Sequence, residues 1–357
     1  MSKNPPSSNS PLTSLQAPWD HNKNAIWLAS TVRLLRNIEK FKFPHKLEVE
    51  KKNHILQLTS KSALQAPGLV KPYVLKAEEM TPSQKEFLIE HFLLSEGLQE
   101  ASSGSAFLLD ETGETIISFN VKEHLQIQCT DCKQDLEQCW MRASAIETTL
   151  SGGSNFAFNE RFGFLTADPL HAGTALIVSA YLHLPALIHH HTLTDHLEKE
   201  KLEGIQMLGL QGSPDELVGD ILMVQNGYTL GVNEESILST IRASVLRLVV
   251  AEKDARSEIK ARENPRFKDQ ISRSIGLLKH SYQLQAAEAL GALSFLKLGI
   301  ELGWIKGISL EEVNTLYFNS RRSHLTYLLQ EESPSEEIAT KRAEYLRNKT
   351  QKIAFAV

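Results

Sequence analysis

The sequence predicts an α+β fold: a mostly antiparallel sheet flanked by helices, followed by a small all-α C-terminal domain. Three observations predict it. Between residues 106 and 130, short apolar runs alternate with turn residues at strand spacing. Residues 237–248 carry an apolar stripe at helical spacing. Beyond residue 255 strand signals stop, and after a charged stretch the chain reads as helix almost throughout.

The chain's 357 residues, 41% of them hydrophobic, suffice for one large or two medium domains. A net charge of −5 argues against a broad nucleic-acid footprint. The first fourteen residues are polar and rich in Pro and Ser, with no signal-peptide core, so residues 1–20 read as a disordered tail. A boundary near 255 then separates residues 21–255 from a helical 256–357. The most apolar window, residues 172–188, is interrupted by His183 and Pro185. It falls short of the ~20 residues that span a bilayer, so a buried helix and a cytoplasmic protein are expected, with no membrane or nucleic-acid partner.

In chain order, Thr81, Pro82 and Gln84 form a capping box that starts a helix bearing Phe87, Leu88 and Phe92. Residues 106–109 and 115–119 read as strands around a turn at 110–113. Residues 124–130 alternate, with Leu125, Ile127 and Cys129 on one face and Gln126 and Gln128 on the other. An apolar segment at 162–166 leads into a loop and a long helix expected from about Gly173. Residues 220–230 are strand-like. Asn233 then caps a helix with Glu234 and Glu235 near its positive end and Ile237, Ile241, Val245 and Leu248 along one side. Further on, Leu290, Leu293, Leu296, Leu298 and Ile300 are core candidates, and Gly303 and Gly307 mark stops.

Cys129, Cys132 and Cys139 are too few and odd in number for a disulfide framework. Cys129-x-x-Cys132 has zinc-ligand spacing but no second pair, so free thiols in a strand and loop are expected. His189, His190 and His191 are consecutive and point to different sides of a helix; His189 and His196 could share a face. Solvated histidines are the expected reading, with no metal. Arg321, Arg322 and His324 read as a solvated basic face.

Five segments, in order, carry a resemblance. Residues 28–37 (LASTVRLLRN) are similar to the pattern S-[ST]-R-[IV]-R-x-x-R, and 119–129 (FNVKEHLQIQC) to N-E-E-D-H-[IL]-R. Residues 162–174 (FGFLTADPLHAGT) are similar to G-Y-L-T-x-C-P-T-N-x-G-T. The run through 182–187 (LHLPAL) is similar to the helix after that motif, and residues 219–231 to the strand after a G-E-G-S-E-A loop. Together with RSIGLL at 273–278, LGIELG at 298–303 and KRAE at 341–344, they resemble the bacterial ATP:guanido phosphotransferases of the protein-arginine kinase type over roughly residues 25–350.

The resemblance implies transfer of the ATP γ-phosphoryl, with Mg, to a guanidinium nitrogen. Such transfer rests on positioning and charge stabilisation. Planar arginine forks suit the phosphates, and carboxylates must orient and deprotonate the guanidinium. By resemblance the nucleotide positions are Ser30, Thr31, Arg33, Gln126, Ile177, Ser179 and Leu208. Arginines of the family are replaced by Thr31, Gln126, Ile177 and Leu208; Arg33 is kept. The two glutamates of N-E-E-D-H fall at Val121 and Lys122. Asp168 stands at the family's cysteine. Glu216 keeps a loop glutamate, with Pro214 at a family glycine. A phosphoarginine-reading pair in the helical domain falls at Ile338 and Ala339. The expectation is a pseudokinase kept as a binding or scaffold module. The alternative is an active protein-arginine kinase with Asp168 and Glu216 on the guanidinium and Arg33 with Lys122 on phosphate; a small-molecule guanidine kinase is a third. The resemblance also allows an activator protein, an arginine-containing client and a homodimer.

Overall fold

The computed structural model describes residues 12, 15–20, 22–94, 98–201, 203–210, 213, 216–330 and 335–356. Most of the expected N-terminal tail, and Pro214, lie outside the described residues.

The main sheet has eight strands in the order β2-β3-β4-β5-β1-β8-β10-β9, and every neighbouring pair is antiparallel. Its strands are β1 (Trp27–Arg36), β2 (Tyr73–Lys76), β3 (Ala106–Leu109), β4 (Thr115–Phe119), β5 (Leu125–Asp131), β8 (Leu176–His183), β9 (Ile205–Gly209) and β10 (Ile221–Asn226). Two small hairpins pair β6 (Phe158–Asn159) with β7 (Gly163–Phe164) and β11 (Ile305–Lys306) with β12 (Ala354–Phe355). The helices are α1 (Val49–Ala63), α2 (Pro82–His91), α3 (Leu136–Ser151), α4 (Pro185–His189), α5 (Leu193–Lys201) and α6 (Glu234–Ala261). The C-terminal set is α7 (Pro265–His280), α8 (Ala286–Leu302), α9 (Leu310–Asn319), α10 (Arg322–Leu329) and α11 (Ser335–Thr350).

Strand alternation sorts the sheet into two faces. Val32, Leu34, Ile127, Cys129, Val178 and Ala180 point to a core shared with α1, α3 and α6. The opposite face carries Thr31, Arg33, Gln126, Gln128, Ile177 and Ser179, because Arg33 lies opposite both Gln128 and Ile177, and Thr31 opposite Ser179. The C-terminal helices build a second core that reaches onto this face through Ala29, Tyr181, Ile221 and Met223.

The capping box at Thr81 and Gln84 forms, and Asn233 caps α6 through Ser236 N. α6 runs unbroken through residue 255; the chain turns at Asn264, which caps α7. Two expectations are corrected. Residues 172–188 form no long helix but strand β8 followed by short α4. Every β8 residue is buried, so the strand lacks the polar alternation that would distinguish it from a buried helix. Nor are residues 15–20 a free tail. Trp19 is 2% exposed and stacks on Phe318 with centroids 3.8 Å apart. The structure also adds a helix, α3, that the sequence patterns do not mark. It places Cys139 on a helix, its thiol donating to the Cys129 carbonyl.

Candidate functional site

On the polar face of the sheet lies an open cleft of ≈ 480 Å³. Its walls include Arg33 from β1, Gln126 from β5, Ile177 from β8 and Gln225 from β10. Val121, Lys122 and Glu123 from the β4–β5 turn, and Ala167, Asp168 and His171 from the loop before β8, complete it with Leu35, His45 and Glu100. Of the residues expected at the site, the fold therefore brings together Arg33, Lys122, Gln126, Asp168 and Ile177.

The other expected residues are placed elsewhere. Ser30 lies on the far face of β1, where its hydroxyl accepts from Trp27 Nε1. Thr31 is buried against Tyr181. Ser179 donates to Gln225 Oε1 at 2.9 Å. Leu208 on β9 pairs with Met223 and, half-buried, packs against the C-terminal core. Glu216 is exposed and is not among the lining residues.

The cleft's electrostatics are mixed. Arg33 is half-buried; burial pulls its guanidinium below its ordinary pKa, and Tyr181 opposes the shift. An arginine side chain stays charged in a protein. Glu123 is 4% exposed and accepts from Asn37 Nδ2 at 2.5 Å and from Ala167 N at 3.0 Å. Burial raises its carboxyl, the two donors offset part of that, and Asp168 pushes it further up. Asp168 accepts from Leu170 N, fixing the turn. Burial depresses the His171 imidazole; Asp168 opposes this, while Arg33 and Lys122 add to it. His171 thus sits within electrostatic reach of both cations and the acid.

Ile177 decides what the floor can hold. It is 3% exposed and packs with Leu35, Ala175 and Phe164. Among the described residues lining the cleft, Arg33 supplies the guanidinium and Lys122 the ammonium. Of the two, only the Arg33 fork can pair bidentately with phosphate oxygens.

The catalytic-domain profile of the ATP:guanido phosphotransferases matches residues 50–255, and that of the protein-arginine kinase McsB C-terminal domain matches 264–355. A protein-arginine kinase of Chlamydia pneumoniae is 34% identical over 312 residues, covering 87% of this chain and 86% of its own. The chain belongs to the ATP:guanido phosphotransferase family. A protein-arginine kinase of Halothermothrix orenii is 30% identical over 328 residues, covering 91% and 93%. Among solved structures, a lombricine kinase superposes with TM-score 0.57 at 18% identity over 72% of this chain and 73% of its own, which shows the shared fold. The duplicated taurocyamine kinase of Schistosoma mansoni, with bound transition state analog components, gives TM-score 0.57 at 25% identity over 70% of this chain and 36% of its own.

Four titratable groups lining the cleft of this phosphotransferase fold are not singled out by the sequence: Glu123, His171, His45 and Glu100. The first two stand inside segments that carry the family resemblance, next to Lys122 and Asp168. The basic face read at 321–324 is also corrected. Arg321 donates to Glu90 O, and His324 is 6% exposed with Nδ1 3.1 Å from Glu90 Oε2; Arg322 stays exposed. Ile338 and Ala339 are buried on α11. His189 pairs with Asp220 at 2.9 Å. The three cysteines are free and buried, and among the described residues no group of metal-ligating side chains comes together. Among them, too, no helix is long and apolar enough to cross a membrane.

Proposed function

We propose that this chain is a pseudokinase of the protein-arginine kinase branch, which keeps the phosphotransferase fold as a binding and scaffold module. The observation that carries this reading is Ile177, sealed into an apolar cluster on the sheet floor where the resemblance places a phosphate-binding arginine. Thr31, buried against Tyr181, and Leu208, packed against the C-terminal core, support it. Each charge-assisted hydrogen bond is worth about 1.5–3 kcal/mol, so several lost together lower nucleotide affinity by orders of magnitude. Lys122, at a family glutamate, repels a substrate guanidinium. The partners that accompany this reading are an arginine-containing client and an activator protein in the cytoplasm, with homodimerisation allowed; the resemblance and the relatives' name support them.

Titration calorimetry of the purified chain with Mg and a non-hydrolysable ATP analogue tests the proposal. The expected result is no saturable binding at micromolar nucleotide; micromolar affinity overturns it. A second reading, an active protein-arginine kinase using ATP and Mg, draws on one observation: Arg33, Lys122, Asp168, Glu123 and His171 share the cleft. It requires an acid-labile phosphoguanidine product from labelled ATP and an arginine-rich protein, lost in Asp168→Ala. Absence of product at every pH removes it.

A further inference from the structure

Two buried histidines on different helices meet face to face beside the segment before β1. His91 ends α2 and His324 lies in the first turn of α10; their rings are 5.7 Å apart and 13° from parallel. Trp19 packs on both, at 4.9 and 5.3 Å, and so does Phe87, at 5.4 and 4.6 Å. Glu90 joins the two helices. Its Oε2 accepts from Ser323 N at 3.0 Å, from His324 N at 3.1 Å and from His324 Nδ1 at 3.1 Å. A carboxylate of α2 thus caps the start of α10, where Arg321 supplies no side-chain cap of its own. The Arg321 guanidinium returns the contact, donating to Glu90 O at 2.9 Å. Just past α2 the chain is tied to the sheet. Gln128 Nε2 donates to Phe92 O at 2.5 Å, and the Tyr181 hydroxyl donates to Leu93 O at 3.0 Å. Gln128 lies opposite Arg33, which lines the cleft. The helical domain, the Trp19 segment and the sheet beneath Arg33 therefore converge on residues 90–93.

Hydrogen bonding fixes the protons of the pair. Gly113 O can only accept, so at 3.2 Å His91 carries its hydrogen on Nε2 and its Nδ1 is bare. His324 carries its hydrogen on Nδ1, toward Glu90, and its Nε2 is bare. Among the described residues neither bare nitrogen has a hydrogen-bond partner. A proton placed on one of them creates a cation among aromatic rings, against a second imidazole. The charged groups that act on the pair and on Glu90 are Arg321 and Arg342, two cations for one acid. Other charged groups of the surrounding elements have partners of their own: Glu86 has Arg322, Lys85 has Ala101 O, Glu111 has Lys71, Asp110 has Thr112 and Asp20 has Thr315. Burial, and then His324, hold the His91 imidazole well below its ordinary pKa; burial lowers His324 too, with Glu90 opposing. Groups lowered in this way contribute fully above the unfolded ~6.5 and lose that contribution as pH falls. We propose that the stacked His91–His324 pair is an acid-sensitive clasp: protonation of the pair parts α10 from α2, releases the Trp19 segment and loosens the sheet contacts beside Arg33. The clasp is independent of whether the cleft binds nucleotide.

The test is hydrogen exchange of the full chain without nucleotide, read by mass spectrometry at pH 7 and pH 5 and corrected for the intrinsic pH dependence of exchange. Peptides covering residues 15–20, 82–91 and 322–329 should lose protection by about tenfold or more at pH 5. Residues 27–36 and 125–131, in the central strands, should keep theirs, and return to pH 7 should restore the clasp. The double variant His91→Phe/His324→Asn removes both proton sites. Its phenylalanine keeps a flat ring beside Trp19, and its asparagine keeps an N–H for Glu90. The variant should show no selective acid response in those three segments. Unchanged protection of the three segments at pH 5 in the parent chain, or loss there in step with the central strands, overturns the proposal; both outcomes are read without the variant, so the answer does not depend on its folding. An acid response of the parent's size in the folded variant overturns it as well.

Discussion

Gln126 and His124 show how neighbouring side chains on one strand serve the cleft and the core. Gln126 is half-buried in the cleft and stands where the sequence resemblance places an arginine. Gln126→Arg restores one forked donor beside Arg33. It is expected to raise affinity for Mg-ATP by about tenfold or more, read by calorimetry; unchanged affinity would show that missing charge is not what limits binding. His124, two residues earlier, holds structure together. It is fully buried; Ile38 N donates to its Nδ1 and its Nε2 donates to Lys42 O, both at 2.9 Å. That pattern requires the neutral ring, and burial pushes its pKa down to about 4. Because the folded value lies below the unfolded ~6.5, this contribution is whole above pH 6.5 and is lost as pH falls toward 4. Its size is on the order of 3 kcal/mol. Urea unfolding between pH 7 and 4.5 should therefore show a loss of stability, with a shallower slope in His124→Gln. The slope should not vanish there, since burial also holds His91 and His183 below their ordinary values.

At the scale of elements, β8 and the segment before β1 matter most. β8 is central and buried on both sides, and its register against β1 sets Ile177 opposite Arg33 and Ser179 opposite Thr31. The segment before β1 works as a strap. Gln16 N donates to Glu111 O at 3.0 Å on the β3–β4 turn, and Trp19 stacks on Phe318 of α9 beside His91 and His324. Trp19→Ala leaves a cavity between sheet and helices and should cost about 3–5 kcal/mol, measured by chemical denaturation. A loss below about 1 kcal/mol would mean the strap is not anchored there.

For the whole molecule, a buried polar chain locks the C-terminal helices to the sheet. Ser294 on α8 donates to the Asp220 carboxylate and accepts from His183 Nε2 of β8 at 2.7 Å. Arg256 on α6 donates to His183 O at 3.1 Å and to Glu252 at 2.7 Å, and Glu252 receives the backbone amides of Ala186 and Leu187 at the start of α4. Ser294→Ala breaks the link and strands buried partners, a loss of about 1–3 kcal/mol. Hydrogen exchange should rise first in residues 286–302, ahead of the sheet; a uniform rise would argue that the two parts are not coupled through this serine.

Much of this protein is legible in one dimension. The capping box at Thr81, the Asn233 cap, the stripe through Ile237 and Leu248 and the alternation from Leu125 to Cys129 are local signals, set by backbone periodicity and turn chemistry. The ordered segments also carry the family, and the replacements at Gln126, Ile177 and Lys122 are readable as letters. What the sequence could not determine was anything that depends on both faces of an element. The apolar run at 172–188 hides a strand because burial on two sides erases the period. Nor does local sequence show that Thr31 is packed away and Leu208 packs against the C-terminal core, that Glu123 and His171 face the cleft beside Asp168, or that Leu170 and Phe162 stand in solvent. The sequence resemblance marks the positions where charges are expected. Tertiary packing decided what filled their places, because a side chain's environment is made by strands and loops distant along the chain.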